Sequence, residues 1–234
     1  MDTVIVSMTT TPVRISNIQP VIDSILNQTV QPSKIYMHIP HIFKREEMTY
    51  EIPEFITKND KIIVNRCEDM GPITKILPIT DVIDDPDALI VSVDDDIIYH
   101  PTMIETLLEN HRKHGGECVV SGTTAFGKVD ESDMSVEHVE GYSGVLYKRK
   151  FLEDFDRSVL EHTDCRYGDD YIISQHLKKK GVPMFVTEKE QEYRSRLVFT
   201  EMSENSDAMY KGANGKLTDN GDRYKKCLLY LSNK

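Results

Sequence analysis

Three consecutive aspartates, Asp94-Asp95-Asp96, follow directly on an apolar run, Ala88-Leu89-Ile90-Val91-Ser92-Val93. Carboxylates this close repel one another unless water or a cation meets them. Their hard oxygens select magnesium or manganese over zinc. Alternate residues of an extended segment point the same way, so Asp94 and Asp96 can share one cation while Asp95 turns aside. The plain alternative is a solvated acidic turn. A run apolar throughout reads as a strand buried on both faces, and open α/β sheets bind ligands outside the carboxyl ends of their strands, which favours the cation.

Other segments carry groups that complement such a site. The loop Thr9-Thr10-Thr11-Pro12-Val13-Arg14 offers hydroxyls, backbone donors and a guanidinium, enough to hold a nucleotide base and phosphates. As a plain alternative it is a helix cap with a solvated arginine. In Asn65-Arg66-Cys67-Glu68-Asp69-Met70-Gly71-Pro72-Ile73-Thr74-Lys75, Gly71-Pro72 is expected to turn into a helix with Lys75 one turn inside, a ready anion site. Together the Arg14 loop, Lys75 and the aspartates describe a diphosphate held between a metal and cations. Later, Cys165-Arg166-Tyr167-Gly168-Asp169-Asp170-Tyr171 opens a helix. Its two acids either complement the helix dipole or supply a general base for an acceptor hydroxyl. Gly141-Tyr142-Ser143-Gly144 either lets a substrate approach the backbone or is a bend in a strand. There is no GxGxxG or GxxxxGK[ST] motif, and the eight histidines show no metal-ligand spacing.

These groups need a scaffold, and the first half supplies an alternation of strand and helix. Strands are expected over Thr3–Met8, Lys34–Ile39, Lys61–Asn65 and Leu89–Val93. A helical stripe (Ile15, Ile18, Val21, Ile22, Ile25, Leu26) follows the first, and a helix from near Pro101 to His114-Gly115-Gly116 follows the last. This pattern implies an α/β fold with a mostly parallel central sheet flanked by helices. The second half is less regular: strands at Cys118–Ser121 and Tyr142–Tyr147, a helix over Asp169–Lys180 stopped by Gly181, and a strand over Val182–Val186. From about Glu188 the chain reads as a mobile loop, ending in a short helix over Arg223–Leu231. The whole is expected to be one domain: a nucleotide-binding half (1–100), an acceptor and catalytic half (101–187) and a tail (188–234).

The 234 residues suit one sizeable α/β domain. A formal net charge of −11 argues against nucleic acid as a partner, since phosphate contacts need clustered lysine and arginine. No stretch is apolar enough to span a bilayer and the N-terminus lacks a signal peptide, so the expected compartment is cytoplasmic. Cys67, Cys118, Cys165 and Cys227 have no paired spacing and read as reduced thiols.

The aspartate triplet behind its strand, the Val4–Arg14 segment and Gly168-Asp169-Asp170-Tyr171 together resemble the GT-A (Rossmann-like) glycosyltransferases, in particular family-2-like members that include viral proteins. The likeness runs from Thr3 to about Val186. It implies a nucleotide-diphosphate-sugar donor, UDP-linked foremost, with Mn2+ or Mg2+. It puts Asp96 with Asp94 on the metal, Asp94 or Asp95 near the donor ribose or sugar, and Thr9, Thr10, Thr11, Arg14, Asn65, Arg66, Gly71 and Lys75 around the nucleotide. It makes Asp170 the base and Asp169 its support, where the family more often has glutamate, and it leaves no evident third metal ligand. The implied reaction is inverting transfer of a sugar to a hydroxyl of a glycan or glycoprotein acceptor, in the host cytoplasm for a viral member, by a chain that can be one domain of a larger protein. The alternative from another class is a non-catalytic nucleotide-sugar or glycan-binding module. A different metal enzyme on a Rossmann-like sheet, such as a haloacid-dehalogenase-type phosphatase or a nucleotidyltransferase, ranks lower. Such a phosphatase needs an aspartate pair after the first strand, where threonines stand here.

Overall fold

A computed structural model describes residues 3–124, 129–187, 197–202 and 220–232. In chain order the elements are β1 (Val4–Thr9), α1 (Gln19–Leu26), β2 (Lys34–Pro40), α2 (Glu54–Thr57), β3 (Ile62–Cys67), two 3-10 turns (Pro72–Lys75 and Leu77–Asp81), β4 (Leu89–Ser92), β5 (Ile97–Tyr99) and α3 (Met103–Lys113). There follow β6 (Val119–Ser121), β7 (Val129–Asp130), β8 (Ser135–Val136), β9 (Val145–Lys148), α4 (Thr163–Arg166), α5 (Asp169–Lys179), β10 (Met184–Val186), β11 (Val198–Glu201) and α6 (Asn220–Ser232).

Nine strands form one sheet in the order β3-β2-β1-β4-β9-β6-β10-β8-β7. Pairs β3-β2, β2-β1, β1-β4 and β6-β10 are parallel, while β9 runs antiparallel to both β4 and β6. The sheet is therefore mostly parallel and flanked by helices, a Rossmann-like architecture of GT-A type, as the alternation of elements implies. The apolar strands are buried on both faces. Val4, Val6, Met8, Ile35, Met37 and Val91 pack on one side against Val21, Ile22 and Ile25 of α1 and Ile104, Leu107 and Leu108 of α3. Ile90, Val145, Tyr147 and Val119 pack on the other against Ile73, Ile76 and Leu77 and against Ile172, Ile173 and Leu177 of α5.

Several local expectations need correction. α1 starts at Gln19, with Pro20 in its first turn; Ile15 and Ile18 are buried but lie in the turns before it. Gly71-Pro72 opens a single 3-10 turn in which Lys75 is the last residue, so there is no α-helical N-terminus there to hold an anion. Asp95 and Asp96 sit in a tight turn leading into β5, rather than in an extended segment. The strand expected over Tyr142–Tyr147 is a 3-10 turn (Gly141–Ser143) followed by β9. β11 pairs antiparallel with β5 inside the stretch expected to be a loop; residues 188–196 and 203–219 of that stretch lie outside the described residues.

The cysteines also depart from expectation. Cys165 in α4 and Cys227 in α6 form a disulfide across a sequence separation of 62, while Cys67 and Cys118 are free. The reading of four reduced thiols is thus wrong for two of them, because side chains that distant meet only through tertiary packing. Among the described residues no helix is long and apolar enough to cross a membrane.

Candidate functional site

The chain runs outward through β1, β2 and β3, then returns to place β4 on the other side of β1. Sheets of this kind bind ligands at such a reversal, in the crevice outside the carboxyl ends of the flanking strands, here β1 and β4. The Thr10–Arg14 loop leaves β1 there, and the aspartates leave β4.

Asp95 fastens the two loops together. It is buried; its Oδ2 accepts from the Thr10 hydroxyl at 2.6 Å, and its Oδ1 from Arg14 Nη1 at 2.7 Å. With both oxygens committed inside the protein, Asp95 has a supporting place rather than the donor-binding one that the glycosyltransferase resemblance implies. Arg14 Nη1 also lies 3.2 Å from Asp96 Oδ2, so the guanidinium expected on phosphates is engaged with carboxylates. Thr9 donates to the His38 carbonyl at 2.7 Å. The Thr11 carbonyl accepts from the amides of Arg14 and Ile15, which shapes the turn.

Lys75 makes the larger correction. Its side chain is buried, and Nζ lies 2.8 Å from Asp94 Oδ1, 2.9 Å from Asp169 Oδ2 and 3.9 Å from Asp170 Oδ1. Burial alone would lower the pKa of this ammonium, but Asp169, Asp94 and Asp170 more than offset it and hold the pKa well above the ordinary value. Lys75 is thus the internal counter-ion of acids from both halves of the chain rather than one arm of a phosphate clamp. Burial, and then the Asp169 charge, push the Asp170 carboxyl well above the usual range against the pull of Lys75. A carboxylate raised in this way is a stronger base at neutral pH than a solvated one.

Gly141 makes room for this arrangement. Its amide donates to Asp170 Oδ1 at 3.0 Å, and a Cβ at this position would press on Lys75 Nζ and stand 3.1 Å from Asp170 Oδ1. Gly141→Ala should therefore fold with a loss of about 1–3 kcal/mol in urea unfolding, the usual range for overpacking. Its Lys75–Asp170 contact should be displaced; an alanine variant indistinguishable from the parent in stability and metal binding would remove this role.

Asp94 and Asp96 are the residues that fit a cation. Burial first, and then the charges of Asp94 and Asp95, push the Asp96 carboxyl up to about 7 despite Arg14 and Lys75. A divalent ion beside Asp96 would offset that burial and repulsion and favour its charged form. No group of three ligating side chains occurs among the described residues. The pair fits magnesium-type binding, in which one or two carboxylates share the ion with substrate phosphates. Because the ion competes with a proton on Asp96, Mn2+ affinity should rise about tenfold between about pH 6 and about pH 8. Titration followed by electron paramagnetic resonance reads this directly, and Asp96→Asn should flatten the profile; a flat profile in the parent would exclude Asp96 as a ligand.

The remaining expected residues do not converge on the crevice. Asn65 donates inward to His38 Nδ1 at 2.9 Å, and Arg66 donates to the carbonyls of Pro40 and His41. Gly71 has a φ of +78°, and an added Cβ would lie 2.8 Å from the Arg166 carbonyl, so it serves backbone packing. Sequence reasoning missed Asp69, which accepts from the amides of Lys44 and Gly71 and from Arg166, tying the β3 loop to α4. It also missed Tyr99, whose hydroxyl accepts from the Asp94 amide at 2.8 Å, and Tyr50, which donates to the Thr10 carbonyl. Only Asp69, two residues before a glycine, carried a local turn signal.

No family model and no curated protein sequence matches this chain. Solved structures do match its fold. A 2-C-methyl-D-erythritol 4-phosphate cytidylyltransferase from Francisella tularensis aligns over 85% of this chain and 94% of its own at 14% identity, with a TM-score of 0.48. A CMP:2-keto-3-deoxy-manno-octonic acid synthetase complexed with CTP aligns over 100% of this chain and 99% of its own at 10% identity, with a TM-score of 0.55. The expectation of glycosyl transfer from a nucleotide-diphosphate-sugar to a glycan is corrected on this finding: the solved structure that aligns with the whole chain is a CMP:2-keto-3-deoxy-manno-octonic acid synthetase and not a glycosyltransferase. At this level of identity what is shared is the GT-A-like, Rossmann-type fold; membership of glycosyltransferase family 2 and a viral origin find no support.

Proposed function

We propose that this chain is a metal-dependent nucleotidyltransferase acting as one domain, with residues 1–100 serving the nucleotide and residues 101–187 the acceptor. The observation that carries the reading is the placement of Asp94 and Asp96 directly after β4, beside the end of β1, where the strand order reverses. A nucleoside triphosphate brings the phosphate oxygens that such a pair needs to complete a divalent ion's shell. Further support comes from the matched synthetase, which was solved with CTP and makes CTP the first nucleotide to try.

A bound divalent ion supplies charge stabilisation to the phosphates and to the departing pyrophosphate. The chain's own residues do the rest. Asp170, basic through burial and held at its Oδ1 by the Gly141 amide, takes the proton from an acceptor hydroxyl. The acceptor oxygen forms a bond to the α-phosphorus, and the bond from that phosphorus to the β-phosphate bridging oxygen breaks. Asp169 and Lys75 keep Asp170 in place, while Thr10, Arg14 and Asp95 hold the β1 loop against the β4 loop.

The test is pyrophosphate release from each nucleoside triphosphate with Mg2+ or Mn2+ and a panel of sugar-acid, sugar-phosphate and polyol acceptors. Release with CTP, dependent on metal and acceptor, is the expected result; absence of release with every nucleotide would overturn the reading. Asp170→Asn should lower turnover by about 10²–10⁴-fold, the usual worth of a general base. Nucleotide binding by calorimetry should survive in that variant, and near-normal turnover would displace Asp170 from the role.

A further inference from the structure

Beneath the site runs a chain of polar groups whose two central members are shut off from solvent. Ser7 and His38 are fully buried, on the sheet face that the Pro72–Lys75 turn covers. Ser7 Oγ donates to the Lys75 carbonyl at 2.6 Å, lies 3.0 Å from His38 Nε2, and Asn65 Nδ2 lies 2.9 Å from His38 Nδ1. A carbonyl can only accept, so the Ser7 proton is spent on Lys75, and the hydroxyl must accept from His38. That places the imidazole proton on Nε2 and leaves Nδ1 to accept from Asn65. Every member is satisfied, and the direction of donation is the same throughout: Asn65 to His38 to Ser7 to Lys75.

The terminus of the chain of bonds is informative. Lys75 closes a single 3-10 turn, where its carbonyl has no continuing helix to bond. Its side chain meanwhile carries the ammonium that meets Asp94, Asp169 and Asp170. We propose that His38 is a positioning residue of the site: through Ser7 it sets the backbone of Lys75, and with it the ammonium that gathers acids from the two halves of the chain. A hydrophobic residue in place of His38 would fill the volume and leave Lys75 without this hold.

The direct readout is the side-chain ammonium resonance of Lys75 in nitrogen-15 spectra, assigned by its loss in Lys75→Arg. Ser7→Ala and His38→Leu should shift or broaden it. His38→Gln, whose amide nitrogen stands where Nε2 does, should restore it. Thr80→Ala removes a hydrogen bond to Leu77 in the same covering segment and serves as the structural control; it should leave the resonance in place. Turnover should fall by about 10²-fold in His38→Leu, the scale of a displacement of about 1 Å, with KM for the nucleotide unchanged. The kinetic part rests on the nucleotidyl-transfer reading and the resonance does not, so failure of one is distinguishable from failure of the other. An unmoved resonance in both Ser7→Ala and His38→Leu, no rescue by His38→Gln, or an equal shift in Thr80→Ala would each overturn the proposal.

Discussion

Replacing Lys75 by methionine should destabilise the protein by roughly 3–5 kcal/mol, the range for stripping a buried charge cluster of its partner. The reason is local. Asp94 and Asp169 each approach the ammonium to within 3 Å, and Asp170 stands 3.9 Å away. Without it, three carboxylates share a largely dehydrated space. The sign of the pH response follows from Asp170, whose pKa is already raised in the folded protein. Losing Lys75 raises it further, so the folded variant binds more protons than its unfolded chain across the acid-to-neutral range. Its stability must then fall as pH rises through that range, and its deficit relative to the parent must shrink on acidification. Urea unfolding at several pH values measures both. A deficit below about 1 kcal/mol, or one independent of pH, would mean that water rather than Lys75 neutralises the cluster.

Removing the disulfide should have an effect of similar size. Cys165 and Cys227 close a loop with a sequence separation of 62. On the chain-entropy account this is worth about 4 kcal/mol, and measured cases fall mostly between 2 and 5. For a protein of this length that is a drop of roughly 8–16 °C in Tm for the Cys165→Ser, Cys227→Ser pair, read by calorimetry. The consequence reaches the site, because Arg166, next to Cys165, holds Asp69, and α5 with Asp169 and Asp170 begins three residues later. The double variant should thus lose metal-dependent nucleotide affinity along with stability. A Tm unchanged to within a degree or two would show that α6 packs on α4 without needing the bond.

Much of the scaffold was legible in the sequence, and for clear reasons. Leu89–Val93 reads as a doubly buried strand because the run is apolar or small throughout, and β4 over Leu89–Ser92 is buried at every residue. Asp169–Lys180 reads as a helix because Ile172, Ile173, His176 and Leu177 fall on one face and Gly181 stops it, and the helix runs over Asp169–Lys179. The acids of the site were legible too, since three carboxylates in a row need a reason. Their partners were not. Lys75 looked like a phosphate-binding lysine because Gly71-Pro72 resembles a helix start, but what it meets comes from positions 19 and more than 90 residues onward. His38 and Ser7 give no signal at all, since a buried polar pair in a strand is indistinguishable by pattern from a solvated one. The reaction class was misread for a related reason: metal, nucleotide loop and base are common property of this architecture, and the bond that is broken depends on contacts that no motif encodes.

The place of β9 in the sheet bears on how the protein folds. β2 pairs with β1 and β3, its near neighbours in the chain, whereas β4 must return across β2 and β3 to reach β1, and β9 must come back from Val145 to β4 before β6 can join on its far side. Contacts of such long sequence separation form slowly, because the loop between them must close first. Asp94 follows β4, and Asp169 and Asp170 open α5, so all three reach Lys75 only through contacts of this long-range kind. The ammonium of Lys75 is therefore fully neutralised only once the second half has docked, which makes the charge balance of the site a checkpoint on completed folding. Substitutions at Asp169 should accordingly speed unfolding and leave the rate of folding nearly untouched.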